Sequence, residues 1–304
     1  MRAVISLGTN TTRLLVVRDE PDGTVVPVEH RQTGTRLGEG LQGAGALQPA
    51  AMARTLDAVA EFVSVARALD AALCSIATSA VRRATNAVDF AERMRAITDV
   101  PLEVLEGEAE ARASFVGATY GVAHDGARVA VIDVGGGSTE VAVGADGVLE
   151  RGISVEIGSV RVSEAFADLT GRAPGAPARA AAASARRAID EAVGACGALR
   201  PVRHVRAVAG TAMTIAAIDA GTHVDAVSGS VLSLATLDST IALLLELSLE
   251  ERRTLPGMLP QRADILAGGA LILSQTLLRL DASEALVEAN DLLLGHLVLR
   301  GSRG

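Results

Sequence analysis

The chain contains two segments of nearly the same design, Ser6-Leu-Gly-Thr-Asn-Thr-Thr-Arg13 and Asp133-Val-Gly-Gly-Gly-Ser-Thr-Glu140. Each segment follows a short apolar run and precedes another, so each predicts a strand, a turn of small residues and a second strand. A turn made of Gly, Thr, Ser and Asn exposes backbone N–H groups, which can surround phosphate oxygens. The sequence therefore predicts two phosphate-binding loops that face each other across a cleft.

The strands and helices around the two segments also repeat along the chain. Residues 2–30 and residues 127–155 each predict three consecutive strands, and alternating helices and strands follow each set. The repeat predicts two α/β domains of ordinary size, residues 1–122 and residues 123–304. Their order of elements is typical of ribonuclease H-like domains of the actin-like ATPase and sugar kinase superfamily, with a ligand cleft between them.

Several segments have the composition and period of helices. Ala and Arg dominate residues 174–199, which favours a helix from propensity alone. After a short strand at 204–209, we predict a mostly helical remainder. The predicted helices are 49–68, 86–97, 108–120, 174–199, 261–280 and 291–299.

The basic residues are informative because all 28 are arginine and none is lysine. This excludes a Schiff-base enzyme and a phosphate-binding loop of the Gly-Lys-Ser/Thr kind. An anion must therefore be bound by arginine, backbone N–H groups, hydroxyl groups or a metal. The net charge of −8 also argues against broad binding to nucleic acid, which normally requires a basic surface.

The composition also bears on where the protein acts. No apolar run approaches the roughly 20 residues that a membrane span requires. The N-terminus passes directly into a predicted strand, which leaves no room for a signal peptide. Two cysteines, Cys74 and Cys196, fit a reducing compartment and no disulfide framework. We expect a cytoplasmic protein that does not bind membranes.

The two loops supply the candidate ligands. Asp133 and Glu140 flank the second loop, and carboxylates combined with phosphate oxygens are ligands that Mg²⁺ prefers. The alternative is a glycine-rich hairpin turn with no ligand, but such turns rarely need three consecutive glycines. The candidate phosphate-binding residues are Gly8, Thr9, Asn10, Gly135, Gly136, Gly137 and Ser138.

A series of short motifs occurs in order along almost the whole chain. They are Gly8-Thr-Asn10, Arg36-Leu-Gly-Glu-Gly-Leu41, Thr78-Ser-Ala-Val-Arg82, Gly107-Glu-Ala-Glu-Ala-Arg112, Asp133 to Glu140, Gly210-Thr211 and Arg262-Ala-Asp-Ile265. This ordered set resembles the exopolyphosphatase / guanosine pentaphosphate phosphatase (Ppx/GppA) family in its short, two-domain form. The resemblance implies a cytoplasmic phosphohydrolase that uses Mg²⁺ or Mn²⁺. Its substrate would be inorganic polyphosphate or guanosine pentaphosphate, and homodimers are common in the family.

The resemblance also assigns roles to individual residues. It identifies Glu110 as the catalytic glutamate, which would activate water for attack on a terminal phosphoryl group. From the residues alone, Glu106, Glu108 and Glu110 are equally good acids for the start of a helix. The resemblance places Arg82 near the substrate phosphate, as a clamp at a strand-to-helix junction.

Further charged residues have open or structural interpretations. Arg36 fits a surface salt bridge as well as a role in the cleft. Arg262 and Asp264 look like a structural pair at a helix start, and a contact with the ligand is the alternative. Gly210-Thr211 fits an anion or nucleoside contact as well as a plain helix cap.

The chain departs from the family pattern at Ser6, where relatives usually have Asp. Loss of this carboxylate would weaken Mg²⁺ binding and reduce activity. The alternative function is therefore a sensor with weakened catalysis, which binds polyphosphate or guanosine polyphosphates. Asp291-Leu-Leu-Leu-Gly295 is a second departure, because an arginine usual in the family is missing. An actin-like kinase is disfavoured, since the motif around Glu110 favours water activation. Lack of a further C-terminal helical domain favours short-chain polyphosphate.

Overall fold

The computed structural model describes residues 1–123 and 125–301. The first lobe is built on a five-stranded sheet with the order β3-β2-β1-β4-β5. Its strands are β1 Arg2–Leu7, β2 Thr12–Asp19, β3 Val25–Thr33, β4 Ala72–Ala77 and β5 Leu102–Val104. Its helices are α1 Leu41–Ala44, α2 Pro49–Ala68, α3 Ser79–Arg83, α4 Ala87–Thr98 and α5 Gly107–Thr119.

The second lobe is built on a six-stranded sheet with the order β10-β11-β9-β6-β7-β8. Its strands are β6 Val129–Val134, β7 Thr139–Ala145, β8 Val148–Val155, β9 His204–Val208, β10 Val231–Ser233 and β11 Glu284–Val287. Its α-helices are α6 Ser159–Ala165, α7 Ala176–Ala192, α8 Ala209–Ala220, α9 Leu234–Glu246, α10 Leu249–Arg253 and α11 Leu266–Arg279, and the last helix is α12 Leu292–Gly301. Short 3₁₀ helices cover Ala167–Thr170, Val193–Leu199, Val224–Ala226 and Pro260–Arg262.

The two sheets repeat one topology. In each, the first strand pairs antiparallel with the second and parallel with the fourth, as β1 does with β2 and β4, and β6 with β7 and β9. The third strand adds to the second by a hairpin, and β10 extends only the second sheet. This order is that of a ribonuclease H-like domain, so the prediction of two such α/β domains is confirmed.

Aliphatic burial positions these elements. The central strand β1 is buried from Ala3 to Leu7. Residues of α2 pack on one of its faces and leucines of α12 on the other. On α2, buried Met52, Val59, Phe62 and Val63 recur at helical spacing and face the first sheet's core. This periodicity predicted the helix correctly.

Two helices connect the lobes. Helix α5 buries Phe115 against the second sheet, and α12 packs along α5. Their backbones approach closely at glycine: an added Cβ on Gly295 would lie 1.8 Å from the Ala113 carbonyl oxygen. Leucines of α12 pack with residues of the first sheet such as Val4 and Ile76. The predicted boundary at residues 122 and 123 falls between α5 and β6, whereas α12 returns to the first lobe; this boundary stays a prediction.

The structure differs from the sequence prediction in short elements. The predicted helix over 174–199 ends at Ala192 and continues as a 3₁₀ helix to Leu199. Gly194 and Gly197 in this part of the chain lower helix propensity. The mostly helical remainder also contains β10 and β11, which are too short to show a period of two. No helix in the described part of the chain has both the length and the apolar character needed to cross a membrane.

Candidate active site

The two predicted loops enclose one cavity of about 90 Å³, called the cleft cavity below. The first loop joins β1 to β2 and the second joins β6 to β7. Both turns close with the same hydrogen bond, from Gly8 N–H to the Thr11 carbonyl and from Gly135 N–H to the Ser138 carbonyl, each at 3.0 Å. The cavity is lined by all seven predicted phosphate-binding residues of the loops: Gly8, Thr9, Asn10, Gly135, Gly136, Gly137 and Ser138.

The loops approach each other so closely that side chains are excluded. A Cβ on Gly137 would lie 2.5 Å from Thr9 Oγ1 and 2.8 Å from Ser79 Oγ. Glycine at this position therefore keeps the loops together and leaves their N–H groups accessible. This contact is the physical reason for glycine at position 137, whereas a Cβ on Gly135 would approach only the Ser138 carbonyl oxygen of its own loop, at 3.0 Å.

Two side-chain oxygens in the first loop indicate that the cleft cavity is built for a ligand. Thr9 Oγ1 and Asn10 Oδ1 are buried, and neither has a hydrogen-bond partner among the described residues. Buried polar atoms in folded proteins nearly always have a partner, supplied by protein, water or ligand. Thr9 and Asn10 both line the cavity, so the Thr9 hydroxyl can donate to a phosphate oxygen and the Asn10 amide oxygen can accept from a water molecule of its hydration shell.

Three buried carboxylates face the same cavity. Asp133 and Glu140 lie directly opposite each other on β6 and β7, and Glu110 lies in the first turn of α5. Serine hydroxyls hold the first two, because Ser114 Oγ donates to Asp133 Oδ2 at 2.7 Å and Ser154 Oγ to Glu140 Oε1 at 2.7 Å. Ser138 of the second loop also forms a side-chain hydrogen bond with the Glu140 carboxylate.

Burial makes these carboxylates hard to ionise. Burial raises the pKa of Glu110 to about 7, although the hydrogen bond and the charge of Arg82 oppose the rise. Burial, together with the charge of Asp291, raises the pKa of Asp133 to about 6. Burial and the charges of Glu110 and Asp133 raise the pKa of Glu140 well above its usual range. Such a group of acids favours a cation or a proton in the cavity.

The acids fit a metal that completes its shell with substrate oxygens. Among residues 1–123 and 125–301, no group of three or more His, Cys, Asp or Glu side chains is arranged to hold a metal. Mg²⁺ commonly takes only one or two carboxylates and fills its other positions with water and phosphate oxygens. Asp133 and Glu140 fit that pattern. Ser6, which lines the cavity beside them, contributes a hydroxyl and no charge.

Arg82 contacts the predicted base directly. Its Nη1 donates to Glu110 Oε1 and, at 2.6 Å, to the Leu105 carbonyl, and its Nη2 donates to Glu156 Oε1 at 3.0 Å. The structure therefore brings Arg82 beside Glu110. Its predicted role as a clamp on the substrate phosphate stays a prediction.

Arg82 does not itself line the cleft cavity, whereas two other arginines, Arg13 and Arg262, do. Arg262 is buried, and burial next to Arg13 lowers the pKa of its guanidinium to about 10. Its Nη2 only just reaches Thr11 Oγ1, at 3.5 Å. Such a guanidinium, deprived of water and weakly bonded, favours an anion in the cavity.

The sequence did not separate these arginines from structural ones. Arg262 is not paired with Asp264 as we predicted, because Asp264 forms a two-bond salt bridge with Arg36 at 2.6 and 2.8 Å. Arg13 closes the first segment, so its position was the available signal. For Arg262 the signal was Gly210: a Cβ there would lie 1.9 Å from Arg262 Nη2, and only glycine leaves room for the guanidinium.

The fold and the cleft cavity define a two-lobed α/β protein with paired phosphate-type loops and a buried glutamate between them. The model of the Ppx/GppA phosphatase family matches residues 16–290. The chain therefore belongs to the Ppx/GppA phosphatase family, which confirms the resemblance inferred from its motifs.

Individual relatives agree with this assignment. Exopolyphosphatase 2 of Mycobacterium tuberculosis is 30% identical over 291 residues, which cover 90% of this chain and 88% of that protein. Exopolyphosphatase 1 of Mycobacterium bovis is 33% identical over 161 residues, which cover 53% of this chain and 47% of that protein. The match thus spans about half the length of exopolyphosphatase 1.

Solved structures share the complete two-lobed arrangement. The crystal structure of an exopolyphosphatase-like protein superimposes with a TM-score of 0.88 at 28% identity and covers 99% of this chain and 98% of that chain. The Aquifex aeolicus PPX-GPPA enzyme superimposes with a TM-score of 0.80 at 26% identity, over 98% of both chains.

Proposed function

We propose that the protein is a phosphohydrolase that releases the terminal phosphate of inorganic polyphosphate, preferably of short chains. One observation carries this proposal: Glu110, whose pKa burial raises to about 7, lines the same cavity as both phosphate-type loops. A carboxylate with such a pKa is suited to accept a proton near neutral pH. The names of the relatives, exopolyphosphatase 1 and exopolyphosphatase 2, support this choice of substrate.

The residues of the cleft cavity have separate roles in hydrolysis. The N–H groups of the two loops bind the oxygens of the terminal phosphate, apart from those of Gly8 and Gly135, which close the turns. Arg13 and Arg262 supply positive charge. Glu110 takes a proton from a water molecule, whose oxygen attacks the terminal phosphorus. The P–O bond to the next phosphate breaks, and the electron pair leaves with the shortened chain. Mg²⁺ or Mn²⁺, held by Asp133 and Glu140, would neutralise phosphate charge when bound.

A second candidate substrate is guanosine pentaphosphate. A neighbouring cavity of about 260 Å³, called the side cavity below, shares Arg13, Gln32, Ala209 and Gly210 with the cleft cavity. Much of its wall is apolar, with leucines from β2 and α12 and a methionine from α8. Apolar walls with a few polar groups are typical of sites for organic ligands. This cavity favours a nucleoside attached to the phosphate chain.

The test compares purified protein in Mg²⁺ on tripolyphosphate, long-chain polyphosphate and guanosine pentaphosphate, with orthophosphate release as the readout. We expect release from all inorganic chains, with the highest kcat/KM on tripolyphosphate. Fastest turnover of guanosine pentaphosphate would favour the nucleotide instead. Tight binding of these compounds without any release would support the alternative that the protein is a sensor, in which Ser6 has weakened the metal site.

A further inference from the structure

Arg13 lies opposite an uncharged residue in the sheet. Ser6 on β1 and Arg13 on β2 form a directly opposed antiparallel pair, so their side chains share one face, and both line the cleft cavity. Ser6 is buried and carries no charge. Ser6, the residue opposite Arg13 on β1, therefore cannot act as a counter-ion for the guanidinium.

Asp291 supplies that counter-ion from elsewhere in the fold. Its Oδ2 accepts a hydrogen bond from Arg13 Nη1 in a close ion pair, in which the two side chains are only 8% and 18% exposed. Its Oδ1 accepts the Leu293 N–H at 3.0 Å, at the start of α12. The carboxylate is therefore held by the helix backbone on one side and holds Arg13 on the other.

The ion pair of Arg13 and Asp291 lies where the cleft cavity and the side cavity meet. Arg13 lines both the cleft cavity and the side cavity, whereas Asp291 lines only the side cavity. Asp291 thus contacts the guanidinium from the side cavity, and it is close enough to the cleft for its charge to raise the pKa of Asp133. It removes at least one of the five N–H donors of Arg13 from the cleft and cancels its charge.

We propose that Asp291 is a positioning residue that sets the anion affinity of the cleft by competing with phosphate for Arg13. The proposal rests on the proposed function only in taking phosphate as the occupant of the cleft cavity. A carboxylate paired with Arg13 weakens the binding of a single phosphate group. Such weakening favours release of the orthophosphate product over its retention.

The test is direct calorimetric binding of inorganic phosphate to the wild-type protein and to Asp291→Asn, at several salt concentrations. Asparagine retains an oxygen for the Leu293 N–H but carries no charge. We expect the Kd for phosphate to fall about tenfold, since phosphate gains a charge-assisted hydrogen bond for which no carboxylate competes. Asp291→Ser, another neutral helix cap, should give the same gain and serves if the asparagine variant does not fold.

Two controls separate this effect from general electrostatics. Glu288→Gln removes one carboxylate from the segment between β11 and α12 that also contains Asp291. Glu288 is likewise a partly buried acid in an ion pair, but its partner is Arg206, at 3.0 Å, and Glu288 lines neither cavity. Glu288→Gln should leave the Kd unchanged. On an Arg13→Gln background, Asp291→Asn should lower the Kd much less, because only the direct effect of its charge on cleft groups such as Asp133 is then left.

Three results would overturn the proposal: a Kd that does not fall in either neutral variant, an equal gain from Glu288→Gln, or an equal gain from Asp291→Asn in the absence of Arg13. Because phosphate is not hydrolysed, its binding is measurable even if the protein releases no phosphate from polyphosphate. Failure of the proposed hydrolysis is therefore distinguishable from failure of this inference.

Discussion

Arg82 and Glu110 form an ion pair between α3 and α5, in which their side chains are only 15% and 6% exposed. Two opposing effects meet at Glu110: burial raises the pKa of its carboxyl group, and Arg82 lowers it. Asp133 and Glu156 add negative charge that raises it further. The balance leaves the pKa of Glu110 at about 7, which suits a general base that works near neutral pH.

The first prediction concerns the pH dependence of hydrolysis. Glu110 acts as a base only when deprotonated, so kcat/KM should rise with pH through an inflection near 7. Arg82→Gln removes the positive charge that lowers the pKa of Glu110, and the inflection should therefore move to higher pH. The measurement is the pH–rate profile of both proteins. Arg93→Gln is the control, because Arg93 is exposed, pairs with Asp89 of the same helix at 2.9 Å and should leave the inflection in place. A downward shift in Arg82→Gln would contradict the assignment of Glu110 as the base.

The second prediction concerns Ser6. Ser6→Asp adds a carboxylate to the cavity that holds Asp133 and Glu140, at the position directly opposite Arg13. The Mg²⁺ concentration for half-maximal activity should fall severalfold, because a third carboxylate strengthens binding of a hard cation. Titration of Mn²⁺ binding by electron paramagnetic resonance gives a second readout. An unchanged metal affinity in a folded variant would mean that Ser6 is not near the metal.

The third prediction concerns the space that Gly210 leaves for Arg262. Gly210→Ala would place a Cβ 1.9 Å from Arg262 Nη2, so the guanidinium must move out of its position in the cleft. KM for tripolyphosphate should rise about tenfold, the loss expected for one charge-assisted contact. Gly194→Ala is the control, because nothing lies within 4 Å of its added Cβ. Equal KM values for the two variants would remove Arg262 from the substrate site.

The fourth prediction concerns stability at the contact of α5 and α12. Gly295→Ala would place a Cβ 1.8 Å from the Ala113 carbonyl oxygen and 2.7 Å from the Gly117 nitrogen. Backbone atoms cannot move aside cheaply, so the free energy of unfolding should fall by about 1–3 kcal/mol. Gly43→Ala, with open space around its Cβ, should change it by less than about 1 kcal/mol. Urea denaturation of both variants is the measurement, and equal midpoints would show that the helices tolerate a wider separation.

Local patterns predicted the parts of the fold that local physics determines. The two loops, the three-strand start of each lobe and α2 follow from turn chemistry and periodicity, which neighbouring residues set. The return of α12 to the first lobe could not be predicted, because α12 has no sequence signal that distinguishes one apolar surface from another.

The same limit applies to the cleft. The glycines of the two loops and Asp133 were predicted because each lies within a short segment whose local pattern indicates a turn. Arg262 and the pairing of Arg13 with Asp291 were not, since these residues are distant in sequence and meet only when both lobes are assembled. Glu110 was chosen over Glu108 through family resemblance. The structure distinguishes the two glutamates without the family resemblance, because Glu110 is buried and Glu108 is exposed.

The central claim is that Glu110 activates water in a cleft that binds phosphate, and a matched pair of variants tests it most directly. Orthophosphate release from tripolyphosphate and calorimetric binding of inorganic phosphate should be measured for Glu110→Gln and for Glu108→Gln, whose side chain is exposed in the same helical turn. We expect Glu110→Gln to lower kcat at least about 100-fold while it still binds phosphate, and Glu108→Gln to behave as the wild type. Equal release by the wild type and by Glu110→Gln, with binding intact, would contradict the account.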